Sequence, residues 1–177
     1  MRQYTSHKCR GIKKLPERHE RRILAIQTES LKMIGVDTNL LFYALHTGME
    51  EHTKAKTILA NWSDSTEIVI AELVLMELYQ LLRSPILMGR EVEAKEATQV
   101  VQAFRANPKW SVVEKASVMN QVWKKAGEKH FARRRLFDVR LAYTLQEHGV
   151  THFATANVKD FRQLGFAKVW NPLISGL

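Results

Sequence analysis

The chain has 177 residues, 45% of them apolar, which is the length of one domain with enough apolar material for a core. Its apolar runs, such as Ile68 to Ala71 and Leu73 to Met76, stop far short of the roughly 18 residues a membrane-crossing helix needs, and its one cysteine, Cys9, has no partner for an internal disulfide. Residues 1–32 also lack the continuous apolar stretch of a secretory signal, so a cytoplasmic location is expected, with no membrane partner.

The formal net charge of +9 is unevenly spread. Residues 1–32 hold nine Lys/Arg against three Glu, and residues 33–177 hold eighteen basic against fifteen acidic side chains. The expected organisation is therefore a basic N-terminal extension over 1–32 and one globular domain over 33–177. Such an extension can bind phosphate backbones by releasing counterions, although charge-rich termini are usually solvated and disordered. A third explanation is a start codon assigned too far upstream, because Met33 directly precedes the first strand signal.

From Met33 onward, short apolar runs alternate with longer segments of helical period. Strands are predicted at Ile34–Val36, Ile68–Ala71, Ser111–Val113, His152–Ala154 and Lys168–Trp170. Between the first two, Ala55, Ile58, Leu59 and Trp62 fall at i, i+3, i+4 and i+7 and predict a helix with one buried stripe. A helix from Glu72 to Arg83 follows the second strand. Ala94, Ala97, Val101 and Phe104 repeat the stripe in a segment that must stop before Asn107-Pro108, since proline biases its predecessor away from the helix. Leu141, Leu145 and His148 share a face of another helix, with Gly149 placed to end it in the left-handed conformation. Strands joined by helices predict an α/β fold, a three-layer α/β/α sandwich around a mostly parallel sheet of four to five strands. In open sheets of this kind ligands bind beyond the carboxyl ends of the strands, so functional residues should follow strands.

Four acids meet that condition. Asp37 directly follows the first strand in VDTN, Glu77 lies on the helix after the second, Asp138 opens the helix of FDVRLAYTLQEHGV, and Asp160 closes TANVKDF after the fourth. Each has an ordinary explanation. Asp37 and Asp138 could be helix caps, and Asp160 could be turn chemistry. Glu77, with Leu73 and Leu81 one turn away on either side, could be the buried partner of an arginine. Glu72, at the start of the same helix, is explained by the positive helix end. What the single explanations leave out is that strand order assigns all four acids to one edge of one sheet. Carboxylates gathered there repel one another, and a hard divalent cation relieves that repulsion with oxygen ligands, magnesium or manganese being suited to a few carboxylates plus water and phosphate. Asn39, Thr155 and Asn157 are candidate supporting residues, and Arg133, Arg134 and Arg135 are candidate receivers of nucleic-acid phosphates. No Cys/His pattern for structural zinc, no GxxxxGK[ST] and no GxSxG is present. A haloacid-dehalogenase phosphatase would carry a second Asp where Asn39 stands, and the paired acids and lysine of a receiver domain are not evident.

VDTNLLFYAL, IVIAELVLMELYQLL, FDVRLAYTLQEHGV and TANVKDF resemble the four acidic motifs of PIN domains, and in particular the VapC-like toxins of toxin–antitoxin pairs. The resemblance runs from Met33 to about Leu173. It implies metal contact for Asp37, Asp138 and the acid of the last motif, with Glu77 as the internal acid, and cleavage of single-stranded RNA or of tRNA or rRNA loops to leave a 5′-phosphate and a 3′-hydroxyl. Many members carry an acid two residues after the threonine, where this chain has Asn157, which leaves Asn157 and Asp160 as alternatives for the fourth position. An RNA substrate, a cognate antitoxin and a homodimer are the implied partners, the dimer being suggested also by the apolar segments Leu40–Leu45 and Leu73–Leu82. The competing expectation is a PIN-like protein that holds RNA or a partner without cleaving it.

Overall fold

The computed structural model describes residues 32–174. The basic extension expected over 1–32 lies, except for Lys32, outside the described residues. Thirteen elements follow one another among the described residues: β1 (Ile34–Val36), α1 (Thr38–Leu45), α2 (His52–Trp62), β2 (Ile68–Ala71), α3 (Glu72–Leu82), α4 (Pro85–Met88), α5 (Ala94–Arg105), β3 (Ser111–Val113), α6 (Met119–Ala126), α7 (Arg135–Glu147), β4 (His152–Ala154), α8 (Val158–Phe161) and β5 (Lys168–Trp170). The five strands have the predicted bounds. α3 stops at Leu82 rather than Arg83, because Arg83 is the C-cap and its backbone N–H turns back to Tyr79 and Leu81 carbonyls.

The strands form one sheet in the order β3-β2-β1-β4-β5, parallel throughout. β1 and β2 are buried along their whole length, as continuous apolar runs covered by helices on both faces must be. The main helix contacts fall into two groups, α1 with α2 and α3 and α3 with α4 and α5 on one hand, α7 with α6 and α8 on the other, which makes the α/β/α sandwich. Gly35 lets α7 come close to the sheet. A Cβ there would stand 2.9 Å from Leu145 Cδ1 and 3.0 Å from Phe153 Cδ2. Gly149 ends α7 with φ +79°, the left-handed conformation expected of it.

Chain order sets the functional edge. The chain moves outward from β1 through β2 to β3, then returns to lay β4 against the other side of β1. The order therefore reverses between β1 and β4, and the crevice at their carboxyl ends is where a parallel sheet offers room for a ligand. Asp37 N–H donates to Ala154 O across that gap at 3.0 Å, so the residues following the two strands are held side by side.

The segments that suggested a homodimer are mostly interior. Leu40, Leu41 and Phe42 of α1 and Val74, Leu75, Leu78 and Leu82 of α3 are buried in the core, leaving Met76 as the exposed large apolar side chain of the two helices. The apolar periodicity of these helices is explained by packing within the chain.

Candidate active site

Asp37 is both things its sequence position allowed. It is the N-cap of α1, with Oδ1 accepting from Thr38 N at 2.8 Å, and its other oxygen faces the β1–β4 crevice. Oδ2 accepts from Asn39 Nδ2 at 2.7 Å and from the hydroxyl of Thr155, which is itself fully buried. Asn39 Nδ2 also donates to Thr155 Oγ1 at 3.1 Å, while Asn39 Oδ1 accepts from Ala156 N, also at 3.1 Å. The same Thr155 oxygen accepts from Asn157 N at 2.9 Å. One polar knot thus ties the loop after β1 to the loop after β4. Burial pushes Asp37 from its ordinary 3.8 up to about 6; the Thr155 hydrogen bond opposes the rise, the negative charge of Glu77 adds to it, the Thr38 N–H opposes it and Asp138 adds again.

The other three acids reach the same place from different elements. Asp138 lies in the first turn of α7, whose N-cap is Arg134, so it is not the cap its position suggested. It is half-buried, and its carboxyl is raised first by burial, then by the charge of Asp160, against the pull of Arg135, with further contributions from Glu77 upward and Arg134 downward. Asp160 sits on α8, held by Arg135 Nη2 donating to its backbone carbonyl at 2.8 Å. Glu77 accepts from Thr38 Oγ1 at 2.6 Å. Asp37, Glu77, Asp138 and Asp160 line a single pocket of about 580 Å³, together with Thr38, Asn39, Asn157 and Arg134.

Glu77 differs from its sequence reading in one respect. The residue is exposed on α3 rather than buried between Leu73 and Leu81, which are only half-buried, so no desolvation cost demands a partner for it. The arginine expected as the alternative partner is not there: the ion pairs among the described residues are Arg90–Glu96, Arg105–Glu72 and Lys125–Glu128. Glu72 therefore has an arginine partner as well as its helix-end position. Thr38 is the residue that sequence reasoning missed. It is buried, links Glu77 to the loop of Asp37, and was legible only as a polar side chain between Asp37 and Asn39 at the head of a helix that is mainly apolar beyond them. The three arginines separate: Arg134 lines the pocket, Arg135 braces Asp160, and Arg133 is exposed outside the lining.

The donor set is all oxygen, which suits a hard divalent cation and not a thiolate or imidazole metal. Among the described residues no three His, Cys, Asp or Glu side chains are drawn together as a ready-made cage. Like charges keep apart without a cation between them, and magnesium-type ions take only one or two carboxylates directly while retaining water. The residues fit such an ion.

A fully parallel β3-β2-β1-β4-β5 sheet with acids at its switch point defines an α/β/α protein with a carboxylate-lined crevice. The PIN domain family matches residues 34–167. Ribonuclease VapC24 of Mycobacterium tuberculosis is 48% identical over 143 residues, covering 81% of this chain and 99% of that protein. The chain belongs to the PIN-domain family, in its VapC-like group. Solved structures with the same fold include Mycobacterium tuberculosis VapC20, described as a Sarcin-Ricin loop cleaving toxin (TM-score 0.55, 20% identity, 75% of this chain and 95% of that one). FitAcB from Neisseria gonorrhoeae is another (TM-score 0.53, 18% identity, 81% and 100%). Among the described residues no helix is long and apolar enough to cross a membrane.

Proposed function

We propose that the chain is a magnesium- or manganese-dependent endoribonuclease acting as the toxin of a toxin–antitoxin pair. The observation that carries this reading is the single pocket into which four acids from four separate segments converge, in a chain 48% identical to a ribonuclease. Asp37, Asp138 and Asp160 would hold the cation, and Glu77 would orient the attacking water or a further ion. A bound divalent cation supplies a water of lowered pKa and stabilises charge developing on the phosphate. Thr155 and Asn39 fix the Asp37 carboxylate so that it meets the ion in one orientation. Thr38 does the same for Glu77. Arg134, on the pocket wall, is placed to receive a phosphate of the RNA, while Arg135 sets the height of Asp160 and lowers the cost of ionising Asp138. Asn157 lines the pocket without a carboxylate, which favours Asp160 as the acid of the last motif.

An antitoxin segment is the expected inhibitor. The pocket is rimmed by exposed Met76, Leu87 and Phe137, an apolar collar around an acidic floor that would accept an amphipathic segment ending in a basic side chain. VapBC2 from Rickettsia felis, a solved structure of the same fold (TM-score 0.50, 13% identity), is bound to a DNA fragment from their promoter. Cleavage of RNA by the purified chain with magnesium, its absence in EDTA, and 5′-phosphate product ends are the expected results. Binding of RNA with no cleavage in either magnesium or manganese would select the non-catalytic alternative. A homodimer is tested by light scattering at tens of micromolar.

A further inference from the structure

The domain's positive charge is concentrated in one stretch, which reaches the pocket at Arg134. Residues 123–135 carry Lys124, Lys125, Lys129, Arg133, Arg134 and Arg135 against Glu128 alone, a net +5, whereas the remainder of 33–177 holds twelve basic and fourteen acidic side chains. The basic excess of the domain is thus entirely local. Two of the six cations are engaged: Lys125 pairs with Glu128 at 2.8 Å and Arg135 braces Asp160. Lys124, Lys129, Arg133 and Arg134 are exposed and enter no ion pair among the described residues.

In the same stretch, α6 presents a large aromatic side chain to solvent. Trp123 is 58% exposed, and Met119 one turn earlier is 37% exposed, although Val122 between them is completely buried and anchors the helix. α6 packs on α7, the helix that carries Asp138, and the chain between them ends at Arg134 on the pocket wall. Eight linking residues and the last turn of α6 allow at most roughly 30 Å from Trp123 to Arg134. That is the reach of a short single strand, whose binding grooves cover upward of about four nucleotides.

We infer that Trp123, with Lys124, Lys129 and Arg133, forms an extended binding track for single-stranded RNA, stacking a base and holding phosphates on one side of the scissile bond, and feeding the strand past Arg134 into the pocket. The inference rests on the nuclease reading and adds a substrate determinant to it. Charge complementarity selects the occupant. Four exposed cations outside any ion pair among the described residues, in the stretch that begins with an exposed indole, call for a polyanion with flat faces, and a base on tryptophan is tolerant of sequence because every base has a π face. An apolar protein partner would find only Met119 beside Trp123 as an exposed large apolar side chain on α6, and the exposed charges of 124–134 are basic apart from Glu128.

The test is binding of a labelled 12-nucleotide oligouridylate to the full chain in EDTA, where the strand is not consumed. Trp123→Ala should weaken binding about tenfold, the usual order for one stacked base, and Trp123→Phe should recover most of that loss. Lys124→Glu with Lys129→Glu should weaken binding too and flatten the salt dependence by about 0.7 in log–log slope for each phosphate no longer neutralised. Lys95→Glu, the same charge change on α5, should move affinity by less than about twofold if the track is local. Because Trp123 is outside the core, melting temperatures should stay near that of the parent chain. If the parent chain cleaves RNA but all of these variants bind it alike, the track is overturned and the nuclease reading stands. If the parent chain neither binds nor cleaves RNA, both are overturned. A polyglutamate peptide that binds more tightly than the oligouridylate and loses that affinity in Trp123→Ala overturns the track in favour of an acidic protein segment.

Discussion

Two acids of one pocket are held in opposite ways. Asp37 is buried and accepts hydrogen bonds from Thr38 N, Asn39 Nδ2 and the Thr155 hydroxyl, whereas nothing among the described residues donates to the carboxylate of Asp138, which is half-buried at the head of α7 and governed by neighbouring charges. The contrast separates a fixed half of the site, built on the sheet, from an adjustable half carried by a helix. A fixed carboxylate sets where a cation sits. An adjustable one lets the coordination close around it, and around the phosphate, without straining the sheet.

The largest effect should come from removing either charge. Asp37→Asn and Asp138→Asn should each lower RNA cleavage in magnesium by on the order of a hundredfold or more, since a direct ligand matters at least as much as the groups that orient ligands. Their stabilities should differ. Asp138→Asn relieves burial cost and like-charge repulsion that together outweigh the attraction of Arg135 and Arg134, so its metal-free melting temperature at pH 7.5 should hold or rise. Asp37→Asn gains from losing a buried charge but sets an amide N–H against the N–H or hydroxyl donors that the carboxylate accepts. Equal melting shifts in the two variants would remove the distinction between a fixed and an adjustable half.

pH dependence sharpens the same contrast. Asp37 has a folded pKa of about 6 against an ordinary 3.8, so the folded chain holds a proton more tightly than the unfolded one. The stability this confers is fully present below about 3.8 and is lost as pH rises through about 6, by up to about 3 kcal/mol for a shift of this size. Metal-free melts from pH 5 to 7.5 should show this fall. Asp37→Asn should flatten it, and manganese should raise the melting temperature more at pH 7.5 than at pH 5. A fall of undiminished size in Asp37→Asn would assign it elsewhere.

Thr155→Val keeps the shape of a fully buried side chain while deleting the hydroxyl that Asp37, Asn39 and Asn157 share. It should cost about 1–3 kcal/mol and a few degrees of melting temperature, together with lower activity, because the buried Asp37 carboxylate loses a donor and the N–H groups of Asn39 and Asn157 lose an acceptor. The smallest stability effect belongs to Glu77→Gln. Glu77 is exposed, so metal-free stability should change by no more than about 0.5 kcal/mol, while isothermal titration with manganese should show weaker binding. Lower metal-free stability with unaltered manganese affinity would make Glu77 a structural residue.

The central strands β1 and β2 were legible in the sequence because each is a short apolar run bounded by polar turns, and a fully buried parallel strand has to look that way. Helix boundaries followed from Pro108 and Gly149, whose backbone restrictions are local. Asp37, Glu77 and Asp160 were legible as residues following strands and Asp138 as one at the head of the helix that leads into β4, since the parallel topology implied by alternating strands and helices puts all such positions on one edge. Those features depend on chain neighbours alone, so the sequence by itself determined the α/β class, the strand bounds and the four acidic positions. The burial of Glu77 was misread, and the apolar segments Leu40–Leu45 and Leu73–Leu82 that suggested a dimer are mostly packed within the chain, because helical periodicity tells which residues share a face and is silent on which face meets the sheet. Tertiary structure alone decided that Asp37 is clamped by Thr155 from 118 positions away, that Thr38 serves Glu77, that Arg135 braces Asp160, and that α1 spends its apolar residues on the core. A hydrogen bond and a desolvation cost depend on distance in space, and only the folding of β4 against β1 and of α3 and α7 beside them sets those distances.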